Sequence, residues 1–427
     1  ENIIAVIGDG SLSGGEAYEC LSNAGEMGTN LIIVVNDNEM SIAENHGGLY
    51  QNLKELRDTE GRSSCNFFRS LGLDYLYVGE GNDIPSLVAA FAKVKDTSRP
   101  TVVHIHTQKG KGYAPAEADR EEFHWEMPFD LETGKPKVDC SGMEDYHSLT
   151  GKFLLEKMKE DHTVVAISSG TPTVIGFTPE RRKQAGRQFV DVGIAEEHAV
   201  ALASGIAAGG GRPVYGVYST FIQRCYDQLS QDLCINGNPA VITVFMGTVA
   251  GMNDVTHLGF FDIPLISNIP NMVYLAPTCS EEYFAMLEWA VRQTEYPVAI
   301  RVPGVAVVHR KEEFDTDYSE LNRYKMTARG ETVAILALGS FYDLGQALKN
   351  KLREESGVEA TLINPRYITG LDEPMLEELK VGHRIVVTLE DGVLDGGFGE
   401  KIARYYGNSE MRVLNYGLRK EFADRYN

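Results

Sequence analysis

Two polar motifs near the start of the chain carry residue types suited to metal and phosphate chemistry. Gly8-Asp9-Gly10 directly follows one apolar run, and Asn36-Asp37-Asn38 directly follows the next. A carboxylate and an amide oxygen are hard ligands suited to Mg²⁺ or Ca²⁺. A magnesium ion held by Asp9 and Asn38 would keep open positions for phosphate oxygens. Taken alone, Gly8-Asp9-Gly10 is equally typical of a tight strand–helix turn, so the metal prediction depends on the two motifs together.

Bringing the two motifs together requires adjacent parallel strands. Short β-branched runs alternate along the chain with longer amphipathic segments, which is typical of parallel sheets built from β–α–β units. In such sheets the carboxyl ends of neighbouring strands lie at one edge, where ligands bind. The pattern predicts strands at 3–7, 31–35, 101–106, 163–167, 240–245, 297–301, 332–338 and 384–389, and helices at 13–26, 84–95, 149–160, 196–208, 281–293, 341–354 and 398–406.

The predicted fold class is α/β, with three consecutive domains that are each a mainly parallel sheet flanked by helices. Two stretches, 111–146 and 303–329, lack a sustained period and are typical of linkers. The predicted domains are therefore 1–146, 147–315 and 316–427. Because the chain opens directly on a strand, we expect that the first domain has a further segment upstream.

Length, charge and cysteine content exclude several classes of protein. The 427 residues are too many for one core. Acidic residues outnumber basic ones by 61 to 40, giving a net charge of −21, and no Lys/Arg cluster occurs, which argues against nucleic acid as a partner. No apolar run approaches the roughly 20 residues of a membrane span, so no membrane partner is expected. Six scattered cysteines without a C-x-x-C pair indicate a reduced, cytoplasmic chain.

Further motifs along the chain resemble those of a known family. Residues 191–200 are Asp-Val-Gly-Ile-Ala-Glu-Glu-His-Ala-Val, residues 218–224 are Tyr-Ser-Thr-Phe-Ile-Gln-Arg, and Thr256-His257 follows. With the two polar motifs, this pattern resembles the transketolase family of thiamine-diphosphate enzymes, and within it the 1-deoxy-D-xylulose-5-phosphate synthases. The resemblance covers nearly the whole chain. It implies a thiamine-diphosphate-binding fold for the first two domains, a transketolase C-terminal-like fold for the third, thiamine diphosphate and Mg²⁺ as cofactors, and a homodimer.

The resemblance implies a role for each matching residue of the cofactor site. Asp9 and Asn38 would be metal ligands, and Met40 would add its main-chain oxygen. Glu196 would be the carboxylate that bonds to the aminopyrimidine ring of the cofactor and activates it. The other implied cofactor contacts are Gly8, Gly10, Ser11, Ile42, Lys109, Ile194 and Phe221.

The resemblance also implies residues that act on substrate. His124 and His257 would be catalytic groups that move protons, alongside Glu196. The implied substrate contacts are Tyr218, Arg224, His257 and Arg301. The implied reaction is decarboxylation of pyruvate and transfer of the two-carbon unit to an aldehyde, which is glyceraldehyde 3-phosphate in the family.

Each of these residues also has an ordinary structural explanation. Glu196 could cap the helix that it begins, and Phe221 could be a core side chain. His257 could be a satisfied loop histidine, and Arg224 could pair with a nearby aspartate on a solvated face. The joint occurrence of these residues in the order and spacing of the family favours the functional interpretation.

The sequence departs from the family pattern at the positions that recognise the acceptor phosphate. Met246 and Gly304 stand where the family has arginines, and Asn253 stands where it has an aspartate. Bidentate arginine–phosphate contacts contribute about 1.5–3 kcal/mol each, so losing two would weaken a phosphorylated acceptor roughly 10²–10⁴-fold. Either the acceptor is a different aldehyde or another cation binds the phosphate. The candidate cations are Arg224, Arg301 and His309.

Three other functions stay open at this stage. A transketolase-like ketol transferase would use a ketose donor and release no CO₂. A split-subunit relative would act on a different, unphosphorylated acceptor. A non-catalytic paralogue would bind the cofactor without turnover, but a degenerate copy is expected to lose Asp9, Asn38, Glu196 and His257 first, and all four are present.

Overall fold

The computed structural model describes residues 3–138, 142–249, 255–304 and 306–423. The chain divides into two compact units. The first unit spans residues 1–143 together with the short segments 169–172 and 191–195. The second unit spans residues 144–168, 173–190 and 196–427.

A four-stranded parallel sheet forms the centre of the first unit. Its strands are β1 (Ile3–Gly8), β2 (Leu31–Asp37), β3 (Asp74–Val78) and β4 (Thr101–His106), in the order β1-β2-β4-β3. Its helices are α1 (Gly15–Met27), α2 (Gly48–Asp58), α3 (Phe67–Ser70), α4 (Ile84–Val94) and α5 (Ala114–Ala118). Gly8 pairs with Asn36 in the parallel register, so the two polar motifs end neighbouring strands at the same edge.

Strand β2 is the buried centre of this sheet. Ile33 and Val35 pack into one hydrophobic cluster, whereas Ile32 and Val34 pack into another. Side chains of a strand alternate between its two faces, so this division is the expected result of covering both faces. The continuous apolar run of β2 therefore holds the second polar motif on a rigid support.

Two sheets form the second unit. The first has the order β6-β5-β7-β8-β10-β9, in which the β5–β7, β7–β8, β8–β10 and β10–β9 pairs are parallel. Its strands are β5 (Val164–Ser168), β6 (Phe189–Asp191), β7 (Arg212–Tyr218), β8 (Val241–Phe245), β9 (Val273–Leu275) and β10 (Val298–Arg301). The other has the order β11-β13-β12-β14-β15, and β11 is antiparallel to β13. Its strands are β11 (Lys325–Ala328), β12 (Thr332–Ala337), β13 (Thr361–Asn364), β14 (His383–Val393) and β15 (Arg412–Leu418).

Helix α8 is the element of the second unit that carries the predicted catalytic glutamate. It is Glu196–Ala208, and Ala199, Ala203 and Ala207 form a buried stripe along it. Residues four apart share one face of a helix, and small side chains there allow close packing. The other helices of the unit are α6 (Tyr146–Glu160), α7 (Pro179–Ala185), α9 (Tyr226–Gln228), α10 (Asp262–Ser267), α11 (Ser280–Arg292), α12 (Tyr342–Ser356), α13 (Glu373–Gly382) and α14 (Phe398–Tyr406).

The fold-class prediction is confirmed, because three mainly parallel sheets flanked by helices occur in chain order. The third sheet is mixed rather than wholly parallel. The boundaries at residues 146 and 315 stay a prediction. Among the described residues, no helix has the length and apolar character needed to cross a bilayer. The cysteines in the described part of the chain are free, and Cys140 lies outside it.

Glu390, near the end of strand β14, is a buried acidic residue with a structural role. Glu390 is fully buried and accepts hydrogen bonds from the backbone amides of Phe398 and Gly399 at 2.8 and 2.7 Å. Burial raises the pKa of Glu390 to about 7, and those hydrogen bonds oppose the rise. The carboxyl group therefore holds the N-terminus of α14 against the sheet.

Replacing Glu390 with glutamine is expected to change how stability depends on pH. Between about pH 4.5 and 7 the folded state keeps a proton that the unfolded state releases. The free energy of unfolding should therefore fall as pH rises through this window, by up to about 3 kcal/mol from this group. Burial lowers the pKa of Lys401 to about 8, so Lys401 titrates above this pH range. Urea unfolding at pH 5 and pH 7 should show a shallower fall for Glu390→Gln.

A matched control is Glu400→Gln. Glu400 also accepts a backbone hydrogen bond, from Gly396 at 2.8 Å, but its side chain is exposed. This variant should keep the pH dependence of the unmodified chain. Equal pH dependence in Glu390→Gln and the unmodified chain would show that Glu390 keeps an ordinary pKa.

Candidate active site

The first unit places the Gly8-Asp9-Gly10 turn beside the end of β2. The Asp9 amide donates to the Asn36 carbonyl at 3.0 Å, and the Asp9 side chain is only 2% exposed. A short 3₁₀ turn, Gly10–Ser13, follows before α1 begins, so Gly10 and Ser11 precede the helix by one turn. Gly8 is the last residue of β1, and Ser11 is exposed. The expected convergence of the two motifs is present.

Gly10 is required because another loop packs directly on its backbone. A Cβ at position 10 would lie 2.6 Å from the Ser41 Cβ, and the Ile194 Cδ1 would be 3.5 Å away. The Ser13 hydroxyl donates to the carbonyls of Gly10 at 2.9 Å and Ile194 at 3.3 Å. The structure therefore brings Ile194, predicted as a cofactor contact, against the turn that holds Asp9.

Asp9 has the properties of a carboxylate that binds a cation. Asn45 donates its side-chain amide to the Asp9 Oδ2 at 2.8 Å. Burial, and then the nearby charge of Asp37, raise the pKa of Asp9 to about 7. Among the described residues, no Lys, Arg or His forms an ion pair with Asp9. A buried carboxylate beside another negative charge is costly without a cation, so the site fits a divalent ion.

Asn38 and Met40 lie on the loop that leaves β2. The Asn38 side-chain oxygen accepts from the Met40 amide at 3.2 Å, and Glu39 between them has a left-handed φ of 70°. Ile42 lies farther along the same loop. No cluster of three or more His, Cys, Asp or Glu able to hold a metal occurs in the described ranges. The predicted ligand set contains a single carboxylate, so it depends on the amide and main-chain oxygens of this loop.

Asp37 supports this edge of the sheet, and the sequence analysis gave it no separate role. The Asp37 Oδ2 lies 2.5 Å from Arg57 and 2.8 Å from His104, all in the first unit. Burial opposes ionisation of Asp37, but the His104 hydrogen bond and the Arg57 charge outweigh it and lower its pKa to about 2. Tyr75 in turn contacts the His104 ring at 2.7 Å. Asp37 is therefore a paired structural charge beside the Asp9 site.

Lys109 and His124 form a second polar pair in the first unit. The Lys109 ammonium donates to the Ser41 carbonyl at 2.6 Å and lies 3.1 Å from the His124 Nδ1. Burial, and then the Lys109 charge, lower the pKa of His124. His124 therefore stays neutral near physiological pH, the state in which a histidine accepts a proton. Lys109 contacts the loop that covers Gly10, and His124 contacts Lys109, while their roles at the cofactor stay predictions.

In the second unit, Glu196 is buried at the start of α8 and is paired with Arg224. Arg224 donates to the Glu196 Oε2 at 2.5 Å, and its other nitrogen lies 3.2 Å from the Glu197 Oε2. Burial raises the pKa of Glu196, and the Arg224 charge opposes that rise. The ordinary alternative for Arg224, pairing with a nearby aspartate, is not what the structure shows. Arg224 contacts the predicted catalytic carboxylate instead.

Phe221, Tyr218 and His257 form an aromatic group in the second unit. The Phe221 ring centroid lies 5.6 Å from His257 and 5.8 Å from Tyr218. The His257 Nδ1 contacts the Thr256 hydroxyl at 2.8 Å. These side chains are part-buried, so an apolar ring and a histidine are presented together. The structure therefore brings three predicted site residues into one group.

Arg301 is in a different environment from the one predicted. Its side chain is 3% exposed, and its guanidinium contacts Asp262 at 2.8 Å and the Asp391 carboxylate. Asp262 and Asp391 are themselves fully buried. The substrate role predicted for Arg301 is corrected here, because a guanidinium paired with two buried carboxylates is unavailable to a substrate. It joins β10 to β14 within the second unit.

The positions that depart from the family pattern also lie in the second unit. Met246 has a left-handed φ of 57° at the end of β8. A Cβ at Gly304 would lie 3.7 Å from the Ser340 hydroxyl and 3.8 Å from that of Thr248, which is ordinary contact. Gly304 is therefore not required by packing. Asn253 lies outside the described residues.

The structure adds contact residues that the sequence analysis missed. Tyr50, on α2, places its hydroxyl 3.1 Å from the carbonyls of both Asp9 and Gly10. Asn45 contacts Asp9, and Glu197 shares Arg224 with Glu196. No motif spacing marks Asn45 or Tyr50, since their contacts depend on how the loop after β2 folds back. Only the adjacency of Glu197 to Glu196 was visible in the sequence.

Three family models match the chain in order. The 1-deoxy-D-xylulose-5-phosphate synthase model matches residues 1–64, the transketolase pyrimidine-binding domain matches residues 144–307, and the transketolase C-terminal domain matches residues 323–420. The matched ranges include strands β1 and β2 of the first sheet and the strands of the other two sheets.

Curated relatives decide the family. The chain is 35% identical to the 1-deoxy-D-xylulose-5-phosphate synthase of Lachnoclostridium phytofermentans, over 99% of this chain and 74% of the relative. It belongs to the 1-deoxy-D-xylulose-5-phosphate synthase family. The synthase of Desulforudis audaxviator is 34% identical over 99% of this chain and 72% of its own length. Membership of this synthase family carries with it the thiamine-diphosphate dependence of transketolase-type enzymes.

Solved structures agree on the fold of the synthase-family chain. A split-gene transketolase, described as an inactive β4 tetramer, has a TM-score of 0.55 at 23% identity and covers 66% of this chain and 91% of its own. A transketolase of Pichia stipitis in complex with sedoheptulose 7-phosphate has a TM-score of 0.54 at 15% identity, over 98% of this chain and 71% of that one. At these identities the likeness shows the transketolase fold alone.

Proposed function

We propose that the protein is a 1-deoxy-D-xylulose-5-phosphate synthase-like carboligase. It would decarboxylate pyruvate and join the two-carbon unit to an aldehyde, with thiamine diphosphate and Mg²⁺ as cofactors. Family membership supports the reaction. The metal is supported by the buried Asp9 carboxylate beside the Asn38–Met40 loop, which forms no ion pair with any Lys, Arg or His in the described part of the chain. The environment of Asp9 is the single structural observation that carries the proposal.

Each predicted residue has a specific task in this proposal. Asp9, Asn38 and the Met40 carbonyl would hold Mg²⁺, and Gly10 and Ser11 would contact the diphosphate. When bound, thiamine diphosphate supplies the electron sink for loss of CO₂ from a 2-oxo acid. Glu196 would exchange a proton with the cofactor's aminopyrimidine ring, since burial raises the pKa of its carboxyl group above the usual value.

The remaining residues would handle protons and shape the site. Neutral His124 would accept a proton, and Lys109 beside it would favour negative oxygens. Phe221 would present its ring to the aminopyrimidine, and His257 against that ring would face the substrate with Tyr218. A homodimer and a cytoplasmic location stay predictions that follow from the family and from the scattered, free cysteines.

Pyruvate consumption tests the proposed function. With thiamine diphosphate, Mg²⁺ and an aldehyde present, the protein should consume pyruvate and release CO₂, and omitting the cofactor should abolish both. Turnover of a ketose donor without CO₂ would identify a ketol transferase instead. Cofactor binding by calorimetry without pyruvate consumption would identify the non-catalytic paralogue.

One observation favours a second candidate for the acceptor. The cations that could replace the family's phosphate-binding arginines are all paired with carboxylates in the second unit. Arg224 contacts Glu196, and Arg301 contacts Asp262. His309 lies 2.7 Å from Glu281. We therefore propose that the acceptor phosphate is weakly recognised and that an unphosphorylated aldehyde is also a substrate.

Restoring one arginine is expected to change acceptor preference. In the unmodified chain, the ratio of kcat/KM for D-glyceraldehyde 3-phosphate to kcat/KM for D-glyceraldehyde should be below about 10. Gly304→Arg should raise this ratio by about 10–10²-fold, because one guanidinium–phosphate contact contributes about 1.5–3 kcal/mol. Gly304→Gln, which adds a long polar side chain without a charge, is the control and should leave the ratio unchanged. A large phosphate preference in the unmodified chain would show that other groups bind the phosphate.

A further inference from the structure

Asn45 contacts Asp9 through one side-chain atom and leaves the other unsatisfied among the described residues. Its side-chain nitrogen donates to the Asp9 Oδ2 at 2.8 Å. Its side-chain oxygen, Oδ1, is buried and has no hydrogen-bond partner in the part of the chain that the structure describes. An unsatisfied buried acceptor costs about 1–3 kcal/mol. Asn45 therefore has an acceptor beside the predicted metal ligand that is satisfied only when a further group is bound.

The loop that carries Asn45 is held in place at several points. Tyr50, just beyond it, contacts the carbonyls of Asp9 and Gly10 at 3.1 Å. Ser41, just before it, packs against Gly10, and its amide donates to the Ala43 carbonyl at 3.0 Å. Contacts of residues before and after Asn45 with the Asp9–Gly10 turn therefore fix the position of Asn45 relative to Asp9.

A neutral amide suits this position better than a charged group. A hydrogen bond restricts rotation of the Asp9 carboxylate without neutralising its charge, so the charge remains for a cation. Lys or Arg at position 45 would pair with Asp9 and compete with a metal. Magnesium keeps several of its waters when bound, and these waters donate hydrogen bonds. The unpaired Asn45 Oδ1 is an acceptor for such a water.

We propose that Asn45 is a positioning residue of the magnesium site. Its amide nitrogen orients the Asp9 carboxylate, and its amide oxygen accepts a hydrogen bond from a water of the Mg²⁺ hydration shell. This inference rests on the proposed thiamine-diphosphate and Mg²⁺ dependence. It assigns a role to a residue outside the two polar motifs.

Magnesium titration of the Asn45→Ala variant tests the inference. Calorimetry would follow thiamine diphosphate binding at increasing Mg²⁺ concentrations. The Mg²⁺ concentration needed for half-maximal binding should rise about 10–10²-fold, as is typical when a group that supports a metal ligand is removed. The metal-free variant should unfold at about the same temperature as the unmodified chain, because loss of the hydrogen bond to Asp9 is offset by removal of the unsatisfied oxygen.

Asn52→Ala is the matched control in the same unit. Asn52 donates to the Cys65 carbonyl at 2.9 Å and accepts from the Phe67 amide at 3.1 Å, away from Asp9. Its loss should leave the Mg²⁺ requirement unchanged. An unchanged Mg²⁺ requirement in Asn45→Ala would overturn the inference. The inference would also be overturned if metal-free Asn45→Ala were unfolded while the unmodified chain and Asn52→Ala stayed folded, because Asn45 would then have a purely structural role.

The same titration separates this inference from the proposed function. If the unmodified chain shows no Mg²⁺-dependent binding of thiamine diphosphate, the proposed function fails. If the unmodified chain binds and Asp9→Ala does not, the metal site stands. In that case an unaffected Asn45→Ala variant refutes only the role of Asn45.

Discussion

Glu196→Gln is expected to lower pyruvate turnover by about 10²–10⁴-fold while cofactor affinity changes little. Glutamine keeps the shape and the acceptor oxygen of Glu196, but it cannot take up and release a proton. Proton transfer by a positioned side chain typically contributes a rate factor of about this size. Glu196 is 3% exposed and begins α8, so the substitution leaves packing intact. Steady-state pyruvate consumption and calorimetric titration with thiamine diphosphate provide the two measurements.

Glu197→Gln is the control for this prediction. Glu197 is the next residue on α8 and also pairs with Arg224, at 3.2 Å, but its side chain is 33% exposed. It has no predicted contact with the cofactor, so turnover should fall less than about tenfold, the effect of one partly exposed ion pair. Near-normal turnover by Glu196→Gln would remove the activating role. Equal losses in the two variants would indicate that both act only through Arg224.

Asp9→Ala is expected to weaken the Mg²⁺-dependent affinity for thiamine diphosphate by more than about 100-fold. Residues that merely support a metal ligand typically contribute 10–100-fold, and Asp9 would be the only carboxylate ligand in the predicted set. Removing it leaves the amide and main-chain oxygens of the Asn38–Met40 loop without a charged partner. Titration of the cofactor at fixed Mg²⁺ measures the effect.

The metal-free stability of Asp9→Ala gives an independent check. Burial and the Asp37 charge raise the pKa of Asp9 to about 7, so the ionised group is unfavourable in the metal-free fold. Because the folded-state pKa is raised, this cost is greatest above pH 7 and disappears at low pH. Asp9→Ala should therefore be at least as stable as the unmodified chain at pH 8 without Mg²⁺. Unchanged cofactor affinity in this variant would refute the metal assignment.

Much of the fold was predictable because local signals and tertiary contacts agree. The apolar run at 31–35 became β2, the buried centre of its sheet, and parallel pairing of Gly8 with Asn36 placed both motifs at one edge. Strand β7 was missed, because Arg212–Tyr218 contains a proline and a glycine that usually interrupt strands. Its interior position in the sheet is decided by contacts with β5 and β8.

Arg301 shows where the sequence alone misleads. Its type and its place at the end of a strand are compatible with a substrate contact, and one of its partners, Asp391, is far away along the chain. The buried pairing with Asp262 and Asp391 forms only when β10 and β14 come together. Long-range ion pairs have no spacing signal, so no local pattern distinguishes this arginine from an exposed one.

The sequence by itself determined the α/β class and the family, and it supplied Asp9, Asn38 and Glu196 as candidate chemical groups. Those features depend on short-range order: the alternation of strands and helices, and motifs placed directly after strands. The tertiary structure alone decided which side chains contact them. Asn45 and Tyr50 reach the Asp9 turn, and Arg224 reaches Glu196, because loops and helices distant along the chain fold against each other. Such contacts depend on packing geometry, which residue order does not specify locally.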